Sequence, residues 1–123
     1  MILSTIFTLI FALLYAKWDA DIINSGTWIK GEGHSKRFVL RFIIITLMTG
    51  AVLHGQPWES KLFMTIFQGT VFWVVFDHTL NILRKKPFWY VGKTAYLDRL
   101  FGEQIHLFKL IMLLFWGGAY YNF

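Results

Sequence analysis

Apolar residues gather in four stretches along the chain, and polar residues gather between them. The stretches run from Ile2 to Trp18, Phe38 to Leu53, Leu62 to Phe76 and Ile105 to Tyr121. Each lies near the lower limit of roughly 17 residues for an α-helix that spans a bilayer. Extending the stretches into their polar flanks predicts helices over residues 2–23, 35–53, 61–86 and 102–121, with an interfacial segment over residues 87–101.

The composition favours lipid as part of the solvent for these helices. The chain has 123 residues, of which 56% are hydrophobic and 20% are aromatic. A small domain leaves much of its surface exposed, so it cannot bury that much apolar area by itself. The predicted fold is therefore all-α, a single-domain integral membrane bundle of four short transmembrane helices.

The basic residues predict an orientation for this bundle. The first and third connections are rich in lysine and arginine, the second carries only Lys61, and no basic residue follows Tyr121. Cytoplasmic loops of membrane proteins hold an excess of basic residues. The pattern predicts both termini on the non-cytoplasmic side of a multi-pass protein in the inner (cytoplasmic) membrane of the cell.

Net charge and cysteine content narrow the possible chemistry and partners. The chain carries a formal net charge of +5 and no cysteine. Disulfides, thiolate metal sites and cysteine nucleophiles are therefore excluded. Because the basic residues flank apolar stretches, membrane lipids with anionic headgroups are the expected partner, and nucleic acid is not.

The third connection combines basic and aromatic residues. Arg84, Lys85 and Lys86 are followed directly by the sequence Pro87-Phe88-Trp89-Tyr90. Pro87 is expected to end the preceding helix. The charges would meet lipid phosphates while the rings insert beside them. Plain anchoring without a specific ligand is the simpler interpretation of this segment.

Ionisable residues cluster at the predicted cytoplasmic ends of the helices. Asp77 and His78 directly follow the third apolar stretch. On a helix, Asn81, Arg84 and Lys85 lie within the same third of the circumference, roughly, as these two residues. Other stretches bring further polar residues to the same predicted depth: Asp19, Asp21, His34, Arg37, Arg41, Asp98 and Arg99. Charged groups within a bilayer are costly and are candidate functional sites. We therefore expect these side chains to converge.

In one possible arrangement of this cluster, the charges neutralise each other and hold the helices in register. The predicted pairs are Asp77 with Arg37 or Arg41, and Asp98 with Arg84 or Arg99, in a polar network that includes Asn81.

In the other arrangement, the cluster binds a divalent metal ion as cofactor. The candidate metal ligands are Asp19, Asp21, His34, Asp77 and His78, since carboxylates and imidazoles supply the oxygen and nitrogen ligands such ions take. Asp77 and His78 are also the candidate catalytic residues. The candidate lipid- or phosphate-binding residues are Arg37, Arg41, Arg84, Lys85, Lys86 and Arg99. Such a site could activate water at a lipid headgroup, although the ligand spacing matches no diagnostic motif.

The stretch FDHTLNILRKKPFWYVGKTAYLDRLFG, from Phe76 to Gly102, resembles small membrane proteins of bacteriophages and prophages of Bacteroidetes-type bacteria. The matching residues are Asn81, Arg84, Pro87, Trp89, Tyr90, Gly92, Lys93, Asp98 and Arg99. The earlier KWDADIINSG, from Lys17 to Gly26, with His34 after it, looks like the N-terminal half of the same family. The resemblance implies a viral or prophage origin and carries no known reaction.

Three functions remain compatible with the sequence, which does not decide whether the chain is an enzyme. The first is a non-enzymatic protein that assembles with itself, as a homo-oligomer, or with a host membrane protein. The second is a metal-dependent hydrolase or phosphotransfer enzyme acting on a phosphorylated lipid headgroup. The third is a holin or small channel, which ranks last because the outer halves of the helices are almost wholly apolar.

Overall fold

The described part of the chain is helical and contains no strand. The computed structural model describes residues 2–25, 34–91 and 100–122, without the side chains of residues 34–36, 38 and 120–122. Its helices are α1 (Ile2–Asn24), α2 (His34–Val52), α3 (Trp58–Leu83) and α4 (Ile105–Asn122), and a 3-10 turn, Gly102–Gln104, precedes α4. The predicted all-α class with four helices is confirmed for these residues.

Helix α1 packs mainly on α3 through a row of small residues. The row repeats every fourth position and is buried throughout: Ser4, Thr8, Ala12, Ala16 and Ala20. Residues four apart lie on one face of a helix, and short side chains there let two helix backbones approach closely. The sequence analysis did not identify this row.

The hydrophobic core lies where α1, α2 and α3 meet. Its buried residues are Ala12, Tyr15, Ala16, Ile45, Phe72 and Phe76. The rings of Phe72 and Phe76 stack with their centroids 5.4 Å apart, and Tyr15 meets Phe76 edge-on at 6.0 Å. Successive turns of α3 thus present aromatic rings to α1, a geometry that aromatic pairs favour.

Helix α4 lies on α3 away from the other two helices. Within the described residues it packs only against α3 and the 3-10 turn. Trp73 meets Phe108 edge-on at 6.1 Å. Gly117 lies close to the ring of Phe67, because a Cβ atom there would be 3.1 Å from Phe67 Cε2. A glycine at this position therefore lets the two helices approach.

The C-terminal end of α3 closes with a tight backbone turn. The prediction extended this helix to residue 86, but it ends at Leu83. Lys85 adopts a left-handed conformation with φ 57°, and the Lys86 N–H donates to the Asn81 carbonyl at 2.8 Å. This six-residue closure is a common helix ending, and a proline often follows it. Pro87 therefore leads the chain out of the helix.

Apolar side chains cover the outer faces of the helices. On α1, the side of the helix opposite the small-residue row carries Leu3, Phe7, Ile10 and Leu14, which we call the α1 stripe. These residues are 68%, 43%, 53% and 66% exposed. Helices α2 and α4 carry similar exposed rows, of which Leu47 and Leu114 are the most exposed members at 68% and 69%. The core is therefore thin relative to the apolar content of the chain.

Within the described residues, none of the helices is both long enough and apolar enough to cross a membrane. The prediction of a transmembrane bundle with both termini outside is therefore wrong, and so is the multi-pass location in the inner membrane. That prediction completed each apolar stretch to spanning length with polar residues. In the structure those residues belong to the polar C-terminal turns of the helices. Lys17, Asp19 and Asp21 lie near the end of α1, and Asp77 and His78 lie near the end of α3.

Candidate functional site

A buried carboxylate joins α1 to α2. Asp19 is only 2% exposed, on the side of α1 that carries the small-residue row. Arg37 and Arg41 are one turn apart on α2 and therefore project from the same face. The Arg37 Nη1 group donates to Asp19 Oδ1, and the Arg41 Nη2 group donates to Asp19 Oδ2 at 3.0 Å. We call these three residues the arginine–aspartate triad.

Aromatic rings surround the guanidinium group of Arg41. Its Cζ atom lies 4.2 Å from the ring centroid of Phe76, 4.5 Å from that of Tyr15 and 5.6 Å from that of Phe72. Such contacts attract a cation to the ring faces. The triad combines two guanidinium groups with one carboxylate, so it carries one net positive charge inside the bundle. The aromatic faces offset part of the cost of burying that charge.

A second ion pair joins α3 to α4. The Lys109 Nζ group donates to Asp77 Oδ2 at 2.5 Å and lies 4.7 Å from the ring centroid of Trp73. Lys109 is 3% exposed, whereas the Asp77 side chain is 29% exposed. Asp77 was predicted to pair with Arg37 or Arg41, but both arginines bind Asp19. The carboxylate of Asp77 instead neutralises an ammonium group on a different helix.

His78 and Asn81 hold the backbone that follows α3. The His78 Nδ1 atom lies 2.7 Å from the Phe88 carbonyl oxygen, and the two rings stack at 4.2 Å. The Asn81 amide donates to the same carbonyl at 3.1 Å and to the Tyr90 carbonyl at 2.8 Å. A carbonyl oxygen only accepts hydrogen bonds, so Nδ1 of His78 carries the proton.

His106 on α4 binds the backbone carbonyl of Trp89, which lies between Phe88 and Tyr90 in the sequence. Its Nε2 atom lies 2.8 Å from the Trp89 oxygen, so Nε2 is the protonated nitrogen. The rings of His106 and His78 stack with centroids 5.3 Å apart. His106 Nδ1 is buried and has no hydrogen-bond partner among the described residues. We call His78, Asn81 and His106 the carbonyl clamp, since together they bind three consecutive backbone carbonyls.

The predicted metal centre is not formed by the described residues. No group of three or more histidine, aspartate or glutamate side chains among them could hold a metal ion. The alternative in which the cluster binds a divalent metal ion is therefore wrong for the part of the chain that the structure describes. The reason is that the candidate ligands already have separate partners. Asp19 binds the two arginines, Asp21 pairs with Lys17 on the surface, and Asp77 pairs with Lys109.

The other predicted site residues divide into four groups. His78, a candidate ligand and catalytic residue, belongs to the carbonyl clamp with Asn81. Arg37 and Arg41 belong to the triad, whereas Lys85 and Lys86 are exposed and Arg84 is half-buried. The residues that lie outside the described part are Asp98, Arg99 and the side chain of His34.

Three residues that form polar contacts with other elements were not predicted from the sequence. Lys109 and His106 were not placed opposite Asp77 and His78, because no local pattern links residues about thirty positions apart. Gln68 was missed because it lies in a stretch considered apolar. It is fully buried, and its amide donates to Thr5 Oγ1 at 3.0 Å. An isolated glutamine in an apolar helix is a signal that could have marked this contact.

Comparisons with protein-family models, with curated proteins and with solved structures find no match to this chain. The resemblance to phage and prophage proteins therefore stays a prediction. The function has to be inferred from the geometry of the chain itself.

Proposed function

We propose that this chain is a non-catalytic helical assembly protein whose copies associate through the α1 stripe. The observation that carries the proposal is the exposure of this stripe. Four large apolar side chains without a charge among them lie 43% to 68% exposed on the face opposite the α1–α3 interface. Monomeric proteins rarely expose contiguous apolar surface of this kind, so it indicates an interaction site.

The internal pairing of the polar residues supports a role without catalysis. Asp77 and His78, the two candidate catalytic residues, make contacts that hold helices and backbone together. The Asp77 carboxylate binds an ammonium group and the His78 imidazole binds a backbone carbonyl, so both side chains stabilise the fold. The arginine–aspartate triad likewise connects α1 to α2. These charged groups therefore serve the fold that presents the stripe.

The spacing of the stripe fits a helix as the partner. Leu3, Phe7, Ile10 and Leu14 follow one another at intervals of four, three and four residues. This is the repeat with which two helices interlock side chains along a shared seam. Burying the exposed half of such a side chain contributes about 1 kcal/mol. Four such residues on each of two helices therefore offset part of the free-energy cost of association.

A second copy of the chain meets these requirements without any further assumption. Most protein oligomers are symmetric and pair the same surface on both subunits. Helix α2, which contacts α1, also exposes apolar side chains, of which Leu40, Ile43 and Leu47 are 45%, 46% and 68% exposed. The proposed assembly is therefore a homo-oligomer built on α1.

Analytical ultracentrifugation over a concentration series tests the proposal. The wild-type chain is expected to sediment as an oligomer that dissociates on dilution. The double variant Ile10→Gln/Leu14→Gln, which changes residues 53% and 66% exposed, is expected to shift this dissociation to at least tenfold higher concentration. The substitutions remove apolar contact area at the seam and leave the α1–α3 interface unchanged.

The matched control is the double variant Leu110→Gln/Leu114→Gln on α4. These residues are also four positions apart and are 51% and 69% exposed. The control variant is expected to sediment like the wild type. A monomeric wild-type chain, or an equal loss of assembly in both variants, would show that the α1 stripe is not the interface.

A further inference from the structure

The turn after α3 gathers exposed aromatic and basic side chains at one end of the molecule. Phe88, Trp89 and Tyr90 are 54%, 64% and 36% exposed, and Lys85 and Lys86 beside them are also exposed. We call residues 84–90 the basic–aromatic turn. Large rings exposed together leave apolar area in water, and exposed apolar surface of this kind, beside polar groups, is typical of an interaction surface.

The carbonyl clamp gives this turn a defined backbone. Three consecutive carbonyl oxygens, of Phe88, Trp89 and Tyr90, accept hydrogen bonds from side chains of α3 and α4. A turn this short would otherwise satisfy those carbonyls with water. Because the backbone is held inward, two of the three rings are left more than half exposed. The interior of the protein thus supports an exposed apolar tip.

The charges of the turn are not neutralised by other described residues. None of the ion pairs formed within the described part of the chain involves Arg84, Lys85 or Lys86. The Lys86 ammonium group lies 5.2 Å from the ring centroid of Tyr90, so a cation and a ring share one edge of the turn. A partner that satisfies both offers negative charge beside an apolar surface.

We propose that the basic–aromatic turn docks on the surface of a bilayer that contains anionic phospholipid. Lipid phosphates would pair with the lysines, and the rings of Phe88 and Trp89 would enter the boundary between headgroups and acyl chains. The contact is peripheral and involves a turn, so no helix has to cross the bilayer. The proposal concerns a surface at the end of α3 and is independent of assembly through α1.

Helix α3 provides a matched control at its other end. The helix has 26 residues, which corresponds to a length of about 39 Å. Its first turn carries Trp58, which is 68% exposed, and Lys61. Each substitution in the basic–aromatic turn can therefore be compared with the same substitution at the far end. The two sets remove the same charge and the same ring, one set from the first turn of α3 and the other from the turn that follows the helix.

Co-sedimentation of the full chain with vesicles tests the proposal. One set of vesicles contains phosphatidylcholine alone, and in the other phosphatidylglycerol replaces part of it. The chain is expected to bind the anionic vesicles and to be released as the salt concentration rises. Lys86→Gln is expected to weaken this binding about fivefold, and Trp89→Ala is expected to weaken it further. Lys61→Gln and Trp58→Ala are expected to bind like the wild type.

Circular dichroism of each variant shows whether the helices are kept, and Lys85→Gln offers a second charge variant if Lys86→Gln unfolds. Equal binding to neutral and anionic vesicles would overturn the proposal. So would equal losses at the two ends of α3. Binding of the turn to single-stranded nucleic acid, with no binding to anionic vesicles, would overturn it in favour of a different partner.

Discussion

At the scale of single residues, the polar side chains of this chain form pairs and clamps between helices. Asp19 shows the physical reason. A carboxylate taken out of water loses several kcal/mol of hydration, which is recovered only if charged donors surround it. Arg37 and Arg41 supply those donors, and aromatic rings in turn accommodate the guanidinium of Arg41. Each of the three residues therefore depends on the other two.

Two aspartates on α1 separate the effect of burial from that of charge. Asp19→Ala is expected to lower the free energy of unfolding by about 3 kcal/mol, since it removes a buried carboxylate that two partly buried arginines bind. Asp21→Ala removes a surface ion pair with Lys17, in which the lysine side chain is 63% exposed and the aspartate side chain is 60% exposed. It is expected to cost about 0.5 kcal/mol or less. Urea unfolding of both variants measures the difference, and equal losses would contradict a structural role for the triad.

At the scale of secondary-structure elements, local residues end helix α3. Helix α3 ends in a turn whose left-handed residue is Lys85. A side chain in this conformation costs about 1 kcal/mol, because its Cβ approaches the carbonyl oxygen. Glycine has no such cost. The lysine is therefore the less stable choice for the backbone at this position, and it places a charge in the basic–aromatic turn.

Exchanging this residue tests that explanation. Lys85→Gly is expected to raise the free energy of unfolding by about 1 kcal/mol, because the strain is removed while the hydrogen bonds of the turn are kept. Lys86→Gly removes the same charge from the next residue, which has no positive φ, and is expected to give no gain. Thermal unfolding followed by circular dichroism compares the two. A loss of stability in Lys85→Gly would mean that its side chain stabilises the turn.

Local sequence explains two of the turns at element boundaries, although the predicted end of α3 at residue 86 lay beyond its observed end at Leu83. Pro87 cannot continue the hydrogen-bonding pattern of α3, and the left-handed turn before it completes the helix end. Gly55, with φ 84°, lies in the short turn between α2 and α3, where glycine adopts that conformation without strain. Neither feature depends on distant residues, so both can be inferred from the sequence in a way that an ion pair cannot.

At the scale of the whole molecule, α3 connects two sides of the bundle. Helices α1 and α2 pack on one side of it, and α4 packs on the other. The single ion pair between α3 and α4 in the described residues is that of Asp77 with Lys109. Lys109 is buried and Asp77 is partly exposed. A substitution of Asp77 therefore leaves a buried charge, whereas a substitution of Lys109 leaves a charge that water reaches.

A double-mutant cycle measures this coupling between the two sides. Asp77→Leu leaves the buried ammonium of Lys109 unpaired and is expected to cost about 3 kcal/mol. Lys109→Met leaves Asp77, which is partly exposed to water, and is expected to cost about 1 kcal/mol. The double variant is expected to be more stable than Asp77→Leu alone, because no unpaired charge remains. Additive losses in urea unfolding would show that the two side chains are not coupled.

The prediction of a transmembrane bundle failed at this same scale. Composition showed more apolar residues than a small core can bury, and lipid was assumed to cover the rest. In the structure, none of the described helices is both long enough and apolar enough to cross a membrane, because charged and amide residues such as Gln68, Asp77 and Lys109 lie within α3 and α4. The total apolar content of the chain does not reveal this, because it does not say where polar residues fall within each helix.

The sequence by itself determined that the described chain is all-α with four helices, and it identified the run of basic and aromatic residues after α3. Both depend on neighbours along the chain: apolar stretches of helical length, a proline, and adjacent side chains. Only the tertiary structure decided that Asp19 binds two arginines, that Asp77 binds Lys109, and that His78, Asn81 and His106 hold the turn. The ion pairs and the His106 contact join residues 17 to 32 positions apart, which helix packing brings within bonding distance. The contacts of His78 and Asn81 depend on the turn that brings the backbone after α3 against that helix.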